Sequence, residues 1–365
     1  MNKTKQPLFH IVKRGEMPWY FSWGIRAAAI VLALICCGLI STLVTAENPI
    51  QIFATIFDGS FGSSRKFMVL LQNTAMLLCI ALALTPAFKM RFWNLGGEGQ
   101  ALAGALAAAA CMILMKDQPN VVVILCMVVT SILAGALWGL APAYFKAKFG
   151  TSETLFTLMM NYVATQLVAY FSVVWENPKG SGNIGVINPK SMVGWFPEIF
   201  GNKYALNIVI VALVAIGMYI YLNYSKHGYE IAVVGESERT ARYVGIKVEK
   251  IILRTMLISG AICGLAGLLL VGGTNHTLNA AIVDGRGFTA VMVSWLGKFN
   301  PIWMVLTSFL LVFLGRGAGE IATDFGLNSS FGDILTGVIL FFIIGCEFFI
   351  NYKISLTKSS KKEEK

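Results

Sequence analysis

A group of polar and aromatic residues, RFWNLGGEGQ at positions 91–100, separates two strongly apolar segments. Asn94 is a suitable N-cap for the helix that continues as EGQALAGALAAAA, and Gly96 and Gly97 leave its first turn without side chains. Glu98 lies at the positive end of the helix dipole, where carboxylates and polar ligand groups are stabilised. Glycine breaks of this kind build binding sites in membrane transporters, and an ordinary capped loop is the alternative.

A second polar feature lies in TSETLFTLMMNYVATQ, at positions 151–166. Glu153, Thr157, Asn161 and Thr165 recur every four residues along a segment otherwise rich in Leu, Phe, Met and Val. Such a stripe lines a water-filled path or joins two helices. For the two threonines both functions remain open, Asn161 is assigned to the path, and Glu153 is also explained as a helix-start charge.

Gln72 and Asn73 form a further polar spot inside an apolar segment. Amides beside the aromatic rings of Phe92 and Trp93 would suit a planar heteroaromatic ligand. We therefore expect these amides to face those two aromatic residues across the helix bundle.

The sequence contains no enzyme motif of the common types. The phosphate-binding pattern G-x-x-x-x-G-K-[ST] and the metal-binding pattern H-E-x-x-H are absent, and the three histidines are dispersed. The sequence therefore predicts neither catalytic residues nor a metal site. All seven cysteines lie in or beside apolar segments, which is typical of small core residues.

The composition is that of a membrane protein. Of the 365 residues 56% are hydrophobic and 13% are charged, and the mean hydropathy is +0.69. A spanning helix needs about 20 apolar residues. Ten apolar segments predict an all-α polytopic membrane protein with about ten transmembrane helices, although the eighth segment is short: 27–46, 67–85, 97–115, 121–142, 154–175, 204–222, 251–272, 287–298, 301–315 and 331–350.

The basic residues predict the orientation in the membrane. With both termini in the cytoplasm, 20 of the 29 Lys and Arg residues fall on the cytoplasmic side, eight fall outside, and Arg254 lies inside a span. The formal net charge of +10 therefore reflects topology and anionic lipid and does not indicate nucleic-acid binding.

This topology divides the chain into a cytoplasmic N-terminal segment (1–26), a transmembrane domain (27–350) and a cytoplasmic basic tail (351–365) that we expect to be disordered. The external loop 176–203 is predicted to be structured, either as a docking surface or as a connector. The cytoplasmic segment 223–250 contains an amphipathic helix predicted over 236–246, with Ala241, Val244 and Ile246 available for packing. A partner groove or the membrane surface would bury that helix face.

Four motifs in this order resemble a known family. FWNLGGEGQ resembles the F-N-I-G-x-E-G-Q signature of permease subunits of ABC importers for nucleosides and simple sugars, which work with basic-membrane-protein-type binding lipoproteins. TSETLFTLMMNYVA, VGESERTARYVGI and GRGFTAVMVSWLGKFNP are similar to three further motifs of that family, and the resemblance covers about residues 67 to 350. Ser237, Glu238 and the pair Ser294 and Trp295 depart from the family pattern.

The resemblance implies the fold of a type II ABC importer permease in a bacterial cell membrane. The expected partners are a second homologous permease, two ABC ATPase domains, an extracellular substrate-binding lipoprotein and membrane lipid, but no nucleic acid. ATP and Mg would bind to the partner ATPase, so this chain would need no cofactor. By the same resemblance, the ATPase-coupling residues would be Gly235, Glu236, Arg239, Ala241, Arg242, Tyr243 and Gly245.

Motifs and resemblance together favour translocation of nucleosides by a transport subunit that is not itself an enzyme. The candidate residues of the substrate pathway are Gln72, Asn73, Trp93, Asn94, Glu98, Asn161 and Trp295. A simple sugar such as ribose or galactose is the alternative cargo. An ion-coupled secondary transporter and a scaffold or channel without active transport are the alternative classes of protein.

Overall fold

The computed structural model describes residues 9–15, 17–45, 48–199 and 201–356. The chain forms two compact units. One unit comprises Met1–Ser63 together with Phe313–Lys365, and the other comprises Ser64–Val312.

The larger unit consists of helices. Its elements are α3 (Ser64–Lys89), α4 (Gly97–Leu114), α5 (Asn120–Phe149), α6 (Glu153–Val174), α7 (Ala205–Tyr224), α8 (Lys226–Glu236), α9 (Glu238–Tyr243), α10 (Val248–Leu270), which ends in a π-helical turn (Val271–Asn275), α11 (Arg286–Leu296) and the first half of α12 (Pro301–Asp324).

The smaller unit joins the two ends of the chain. It contains β1 (Phe9–Lys13), α1 (Trp19–Thr45), α2 (Pro49–Phe61), the second half of α12, α13 (Ser329–Asn351) and β2 (Tyr352–Leu356). The strands pair antiparallel with Phe9 opposite Leu356, and the Arg26 guanidinium donates to the Glu347 carboxylate at 2.8 Å. The expectation of a disordered tail was therefore wrong for 352–356, and 357–365 lie outside the described residues.

The fold class predicted from the sequence is confirmed. Nine helices in the described part of the chain are long and apolar enough to cross a membrane. The eighth apolar segment differs from the prediction, because it forms α11, an 11-residue helix that is too short to span about 30 Å of hydrocarbon at 1.5 Å per residue.

Helices α3 and α10 form the centre of the larger unit. In each of them 72% of an apolar 18-residue stretch is buried, against 61% or less in the corresponding stretches of the other candidate spans. Glycines let α5 and α10 approach closely, since a Cβ built on Gly135 would lie 2.7 Å from the Gly264 Cα, and one on Gly139 would lie 2.8 Å from the Met256 oxygen. Gly135 and Gly139 form a G-x-x-x-G pair, as do Gly260 and Gly264, and this spacing is typical of closely packed membrane helices.

The segment between α6 and α7 is folded onto the ends of neighbouring helices. The Asn188 amide donates to the Met112 oxygen at 2.8 Å, and the Phe196 N–H donates to the Gly272 oxygen at 3.0 Å. The Trp195 ring stacks on His276 with centroids 3.8 Å apart. The segment has the order expected from the sequence, and its use as a docking surface stays a prediction.

Candidate functional site

The loop between α3 and α4 is held by the side chain of Asn94, which is fully buried. Its Oδ1 accepts the Gly96 N–H at 2.9 Å, and its Nδ2 donates to Ser259 Oγ at 3.1 Å. The side-chain amides of Asn94 and Gln100 also bond to each other, at 3.2 and 3.4 Å. Helix α4 begins at Gly97 with Gly96 as its N-cap, so the N-cap predicted at Asn94 was wrong: Asn94 closes the loop and ties it to α10.

The polar stripe on α6 binds the same loop. Asn161 Nδ2 donates to the Leu95 oxygen at 2.8 Å, and Asn161 Oδ1 accepts the Gly99 N–H at 2.8 Å. Thr157 Oγ1 accepts the Leu95 N–H at 3.2 Å. Asn161 therefore joins two helices in this structure, and its contact with a moving cargo stays a prediction.

Thr165 differs from the other members of the stripe, because its hydroxyl donates at 3.0 Å to the Asn161 carbonyl of its own helix. Glu153, at the start of α6, forms an ion pair with Lys146 at 2.8 Å. Gly96 and Gly97 are buried, so neighbouring parts of the chain cover the backbone at the start of α4.

Glu98 fixes the start of the short helix α11. Its Oε1 accepts the Gly285 N–H at 3.0 Å, and its Oε2 accepts the Gly287 N–H at 2.7 Å. The backbones are in close contact here, since a Cβ on Gly287 would lie 2.8 Å from the Glu98 Cα. Unbonded N–H groups at a helix start carry partial positive charge, so a carboxylate binds them well. Glu98 thus stabilises α11 from a different part of the chain.

Two half-exposed tryptophans form an aromatic surface beside the loop. The rings of Trp93 and Trp295 stack with centroids 5.4 Å apart and planes inclined by 23°, and both rings pack near Phe88. Each tryptophan is about half exposed, at 45% and 46%. The departure from the family pattern at Trp295 therefore adds the second ring of this surface.

Gln72 and Asn73 lie elsewhere in the unit. Gln72 Nε2 donates to Thr274 Oγ1 at 2.7 Å, and Asn73 Oδ1 accepts from the Arg286 guanidinium at 3.4 Å. The predicted neighbours Phe92 and Trp93 were wrong, because Trp93 packs near Phe88. Sixteen residues of α3 separate Phe88 from Gln72, which is roughly 24 Å along a helix.

The segment predicted to form one amphipathic helix over 236–246 is divided into two. Ser237 has an extended backbone, with φ −159° and ψ 116°, and its hydroxyl accepts the Thr240 N–H as the N-cap of α9. Serine favours this position because its oxygen satisfies an N–H that has no partner within the helix. Helix α8 therefore ends at Glu236, and the six-residue α9 follows as a separate element.

The coupling residues predicted on this segment lie on opposite faces. Gly235 and Ala241 are buried. A Cβ on Gly235 would collide with the Lys89 oxygen, and Ala241 belongs to an apolar cluster that includes Phe92 and Ile231. The expectation that Ala241 is available to a partner was wrong, whereas the remaining residues are exposed: Glu236, Arg239, Arg242, Tyr243 and Gly245.

Sequence reasoning missed several residues that hold the site. Gln100 stands within the quoted motif and was predictable as a buried amide, whereas Ser259 lies in an apolar run without any polar periodicity. Arg286 is partly buried, although a charged residue at the end of an apolar segment is more often solvated. Gly285 and Gly287 stand at the start of the quoted motif GRGFTAVMVSWLGKFNP, but their bonds to Glu98 were not predictable, because every residue except proline has a backbone N–H.

Comparison with known proteins assigns a family to this arrangement. The family model described as "Branched-chain amino acid transport system / permease component" matches residues 67–344. A guanosine ABC transporter permease of Bacillus subtilis is 30% identical, with 86% of this chain and 91% of the relative covered.

Two further relatives are similar over most of their length. A nucleoside ABC transporter permease of Lactococcus lactis subsp. cremoris is 28% identical, with 90% of this chain and 92% of the relative covered. A glucose ABC transporter permease of Haloferax volcanii is 26% identical, with 94% and 92% covered.

Proposed function

The chain belongs to the family described as the permease component of the branched-chain amino acid transport system, and from that premise we propose that it is the membrane subunit of an ATP-driven importer for nucleosides. A permease is a transport subunit and not an enzyme, so ATP hydrolysis with Mg belongs, in this proposal, to a separate ATPase. The observation that carries the proposal is the family match over residues 67–344, together with relatives named for guanosine and nucleosides.

Contact with the ATPase is assigned to the exposed face of α8 and α9. Tyr243 is 92% exposed and Val244 is 61% exposed, although both are large apolar or aromatic side chains. Exposed charges surround them at Glu236, Arg239 and Arg242. Aromatic residues and arginine are enriched where proteins bind each other, and a short helical segment fits a groove on a partner.

A displacement of this face would be transmitted to the loop at residues 91–96 by the apolar cluster that lies between them. Ala241 and Ile231 pack in one cluster with Phe92 and Met256. Two residues after Phe92, Asn94 bonds to Gln100 and Ser259. Because packed interiors deform little, displacement of α9 would shift the start of α4 and its Glu98 contact to α11. In this proposal, closure of the ATPase pair thereby switches the pathway from inward-facing to outward-facing.

A nucleoside is the cargo favoured over a simple sugar. The relative with 30% identity is named for guanosine, and the relative with 28% identity is named for nucleosides. The Trp93 and Trp295 rings present half-exposed aromatic faces, on which a purine or pyrimidine base stacks well. A sugar such as glucose, ribose or galactose is the second candidate, supported by the glucose relative.

The complete importer would contain a second permease, two ATPase domains and an extracellular binding lipoprotein. Both termini of this chain would lie in the cytoplasm, as the distribution of Lys and Arg favours.

Uptake measurements test the function directly. Cells that lack this chain, and the same cells with the chain restored, are given radiolabelled guanosine, uridine and ribose while the ATPase partner is present. Restored accumulation of the nucleosides alone is expected. Accumulation of ribose alone would establish the sugar alternative, and accumulation of none of them would contradict both cargoes.

A second arm separates an ATP-driven importer from an ion-coupled carrier. The uptake is repeated in cells whose ATPase partner carries an inactivating substitution in its phosphate loop. Nucleoside accumulation should then stop, whereas a secondary transporter would continue to accumulate its cargo as long as the ion gradient remains.

A further inference from the structure

A polar cavity of about 550 Å³ opens beside the end of α10 in the larger unit. Helix α3, the end of α10 with its π-helical turn, and the segment from there to the first residue of α11 form its walls. The residues important for its chemistry are Gln72, Asn73, Thr274, Asn279, Asp284 and Arg286. Its volume falls within the range of about 300 to 1,000 Å³ that is typical of small-molecule sites.

A buried amide at this cavity has an oxygen without a partner. Gln72 is only 1% exposed, and its Nε2 donates to Thr274 Oγ1 at 2.7 Å. Its Oε1 has no hydrogen-bond partner among the described residues. A buried acceptor without a partner is costly, and Gln72 lines the polar cavity, so its oxygen is a candidate acceptor for a hydroxyl or N–H of a ligand.

The charges of the cavity favour a neutral ligand. Asp284 and Arg286 carry one formal charge of each sign, and the Arg286 guanidinium already donates to Asn73 Oδ1 at 3.4 Å. The amide and hydroxyl groups of Gln72, Thr274 and Asn279 both donate and accept hydrogen bonds. A ring that carries several hydroxyl groups matches such a lining, whereas a phosphate would need an excess of positive charge.

Two other cavities of the same unit differ in chemistry. One is lined by residues such as Leu71, Leu78 and Val211, and the other by residues such as Leu106, Leu137 and Leu167. Apolar linings of this kind suit lipid chains or packing against another helix and offer few hydrogen bonds to a hydroxylated ring. The polar cavity is therefore the better candidate for a cargo site.

The polar cavity also adjoins the helix start that Glu98 holds. Arg286 is the first residue of α11 and lies in the cavity wall, while its neighbours Gly285 and Gly287 donate to Glu98 at 3.0 and 2.7 Å. A displacement of α4 against α11 would consequently change the cavity and the Glu98 contact together.

On the basis of the proposed function, we propose that this cavity binds the hydroxylated sugar portion of the cargo during translocation. The Gln72 oxygen accepts a sugar hydroxyl, and Asn279 at the exposed rim adds a second polar contact. The sugar is the chemistry that a nucleoside and a simple sugar have in common.

The test uses the complete importer in proteoliposomes with saturating binding protein, so that the affinity of the binding protein does not limit the rate. The maximal transport rate is measured for guanosine and for 2′,3′-dideoxyguanosine, which lacks two ring hydroxyls. The wild type should transport guanosine faster. Gln72→Met, which keeps the length of the side chain, should reduce the guanosine rate about three- to tenfold and reduce the preference for guanosine.

Two further variants complete the design. Asn279→Ala changes an exposed rim residue and removes one local bond, in which Asn279 Oδ1 accepts the Ala281 N–H at 3.0 Å. It should cost little stability and lower the same preference, and it tests the site by itself if Gln72→Met does not assemble. Thr165→Val is the matched control, because it removes a hydroxyl that bonds only its own helix among the described residues, and it should keep the wild-type rate and preference.

The outcomes distinguish the two proposals. If the wild-type importer transports guanosine and the two cavity variants keep its rate and its preference, the cavity assignment is wrong while the proposed function stands. If the wild-type importer transports neither nucleoside, the proposed function itself fails.

Discussion

The Glu98 carboxylate and the Gly287 backbone N–H, 189 positions apart in the chain, are joined by a hydrogen bond of 2.7 Å. With the second bond to Gly285 at 3.0 Å, this contact places the first turn of α4 against the first turn of α11. An acidic residue in the quoted motif is thereby explained by its partner: it binds the start of a helix that is too short to span the membrane.

Glu98→Gln should lower transport. The amide oxygen can accept one of the two N–H groups, but the NH₂ group meets the other donor and leaves it without an acceptor. The loss of a charged hydrogen bond corresponds to about 1.5–3 kcal/mol, and we expect nucleoside uptake to fall about tenfold or more at matched expression. Glu98→Asp, which retains the charge, should retain more activity. Unchanged uptake in Glu98→Gln would exclude an essential function of this carboxylate.

Asn161→Leu should destabilise the protein, because it leaves the Leu95 oxygen and the Gly99 N–H buried without their partner. Each loss should cost about 1–3 kcal/mol. The thermal unfolding midpoint of the purified importer measures the effect. The control Thr165→Val should change the stability by less than about 1 kcal/mol, and an equal loss in both variants would show that Asn161 does not hold the loop.

Two Gly→Ala substitutions in membrane helices should differ in their effect on stability. At Gly264 a Cβ would lie 3.1 Å from the Gly135 Cα and would collide with the Ser131 oxygen, so Gly264→Ala should destabilise by about 1–3 kcal/mol. At Gly217 a Cβ would meet no described atom within 4 Å, so Gly217→Ala should be neutral or stabilise by up to about 1 kcal/mol. The unfolding midpoints of both variants are compared with that of the wild type. Only Gly264→Ala should lower the midpoint, and an equal midpoint in the two variants would contradict the prediction.

Tyr243→Ala should weaken assembly with the ATPase without affecting the fold, because the side chain is 92% exposed. Truncation of a central aromatic residue in an interface costs about 2 kcal/mol or more, which predicts a loss of affinity of about 30-fold. Copurification of the ATPase and nucleoside uptake should both decrease while the unfolding midpoint of the isolated permease stays constant. Normal copurification would remove Tyr243 from the contact.

Stability should fall at low pH because of His276, which follows the candidate span ending at Asn275. Burial, with the charge of Lys203 as a second cause, lowers the pKa of His276 from 6.5 to about 4. The unfolded chain therefore takes up a proton near pH 6.5, but the folded protein does so only near pH 4, and stability decreases as the pH falls between these values.

The unfolding midpoint at pH 7.5 and pH 5 measures this effect. His276→Gln removes the titrating group, so the decrease between the two pH values should be smaller in this variant than in the wild type. An identical decrease would assign the acid sensitivity to other groups.

The helices could be predicted from the sequence because hydrocarbon imposes a minimum length on every spanning segment. The hydrogen-bond partners of polar side chains could not be predicted in this way. The recurrence of Asn161 with Thr157 shows that a polar face must be satisfied, but the acceptor at Leu95 lies 66 positions away. Similarly, Gln72 was identified as a polar spot, and its partner Thr274 lies 202 positions away.

Local breaks were also difficult to predict. The predicted helix over 236–246 ran through Ser237, whose extended backbone ends α8 and whose hydroxyl caps the start of α9. The β1–β2 pair was missed because each strand has only five residues. The alternation of Tyr352, Ile354 and Leu356 with Lys353 and Ser355 in β2 was overlooked, since the segment continues into a charged tail.

The pairing of both chain ends within the smaller unit has a consequence for biosynthesis. The partners Arg26 and Glu347 are 321 positions apart, so α1 is synthesised long before the carboxylate that binds its arginine. Helices that emerge early must remain in the membrane while nearly the whole chain is translated, and the smaller unit can form only after α13 has been inserted. The later of these two helices thus completes the unit that the earlier one begins.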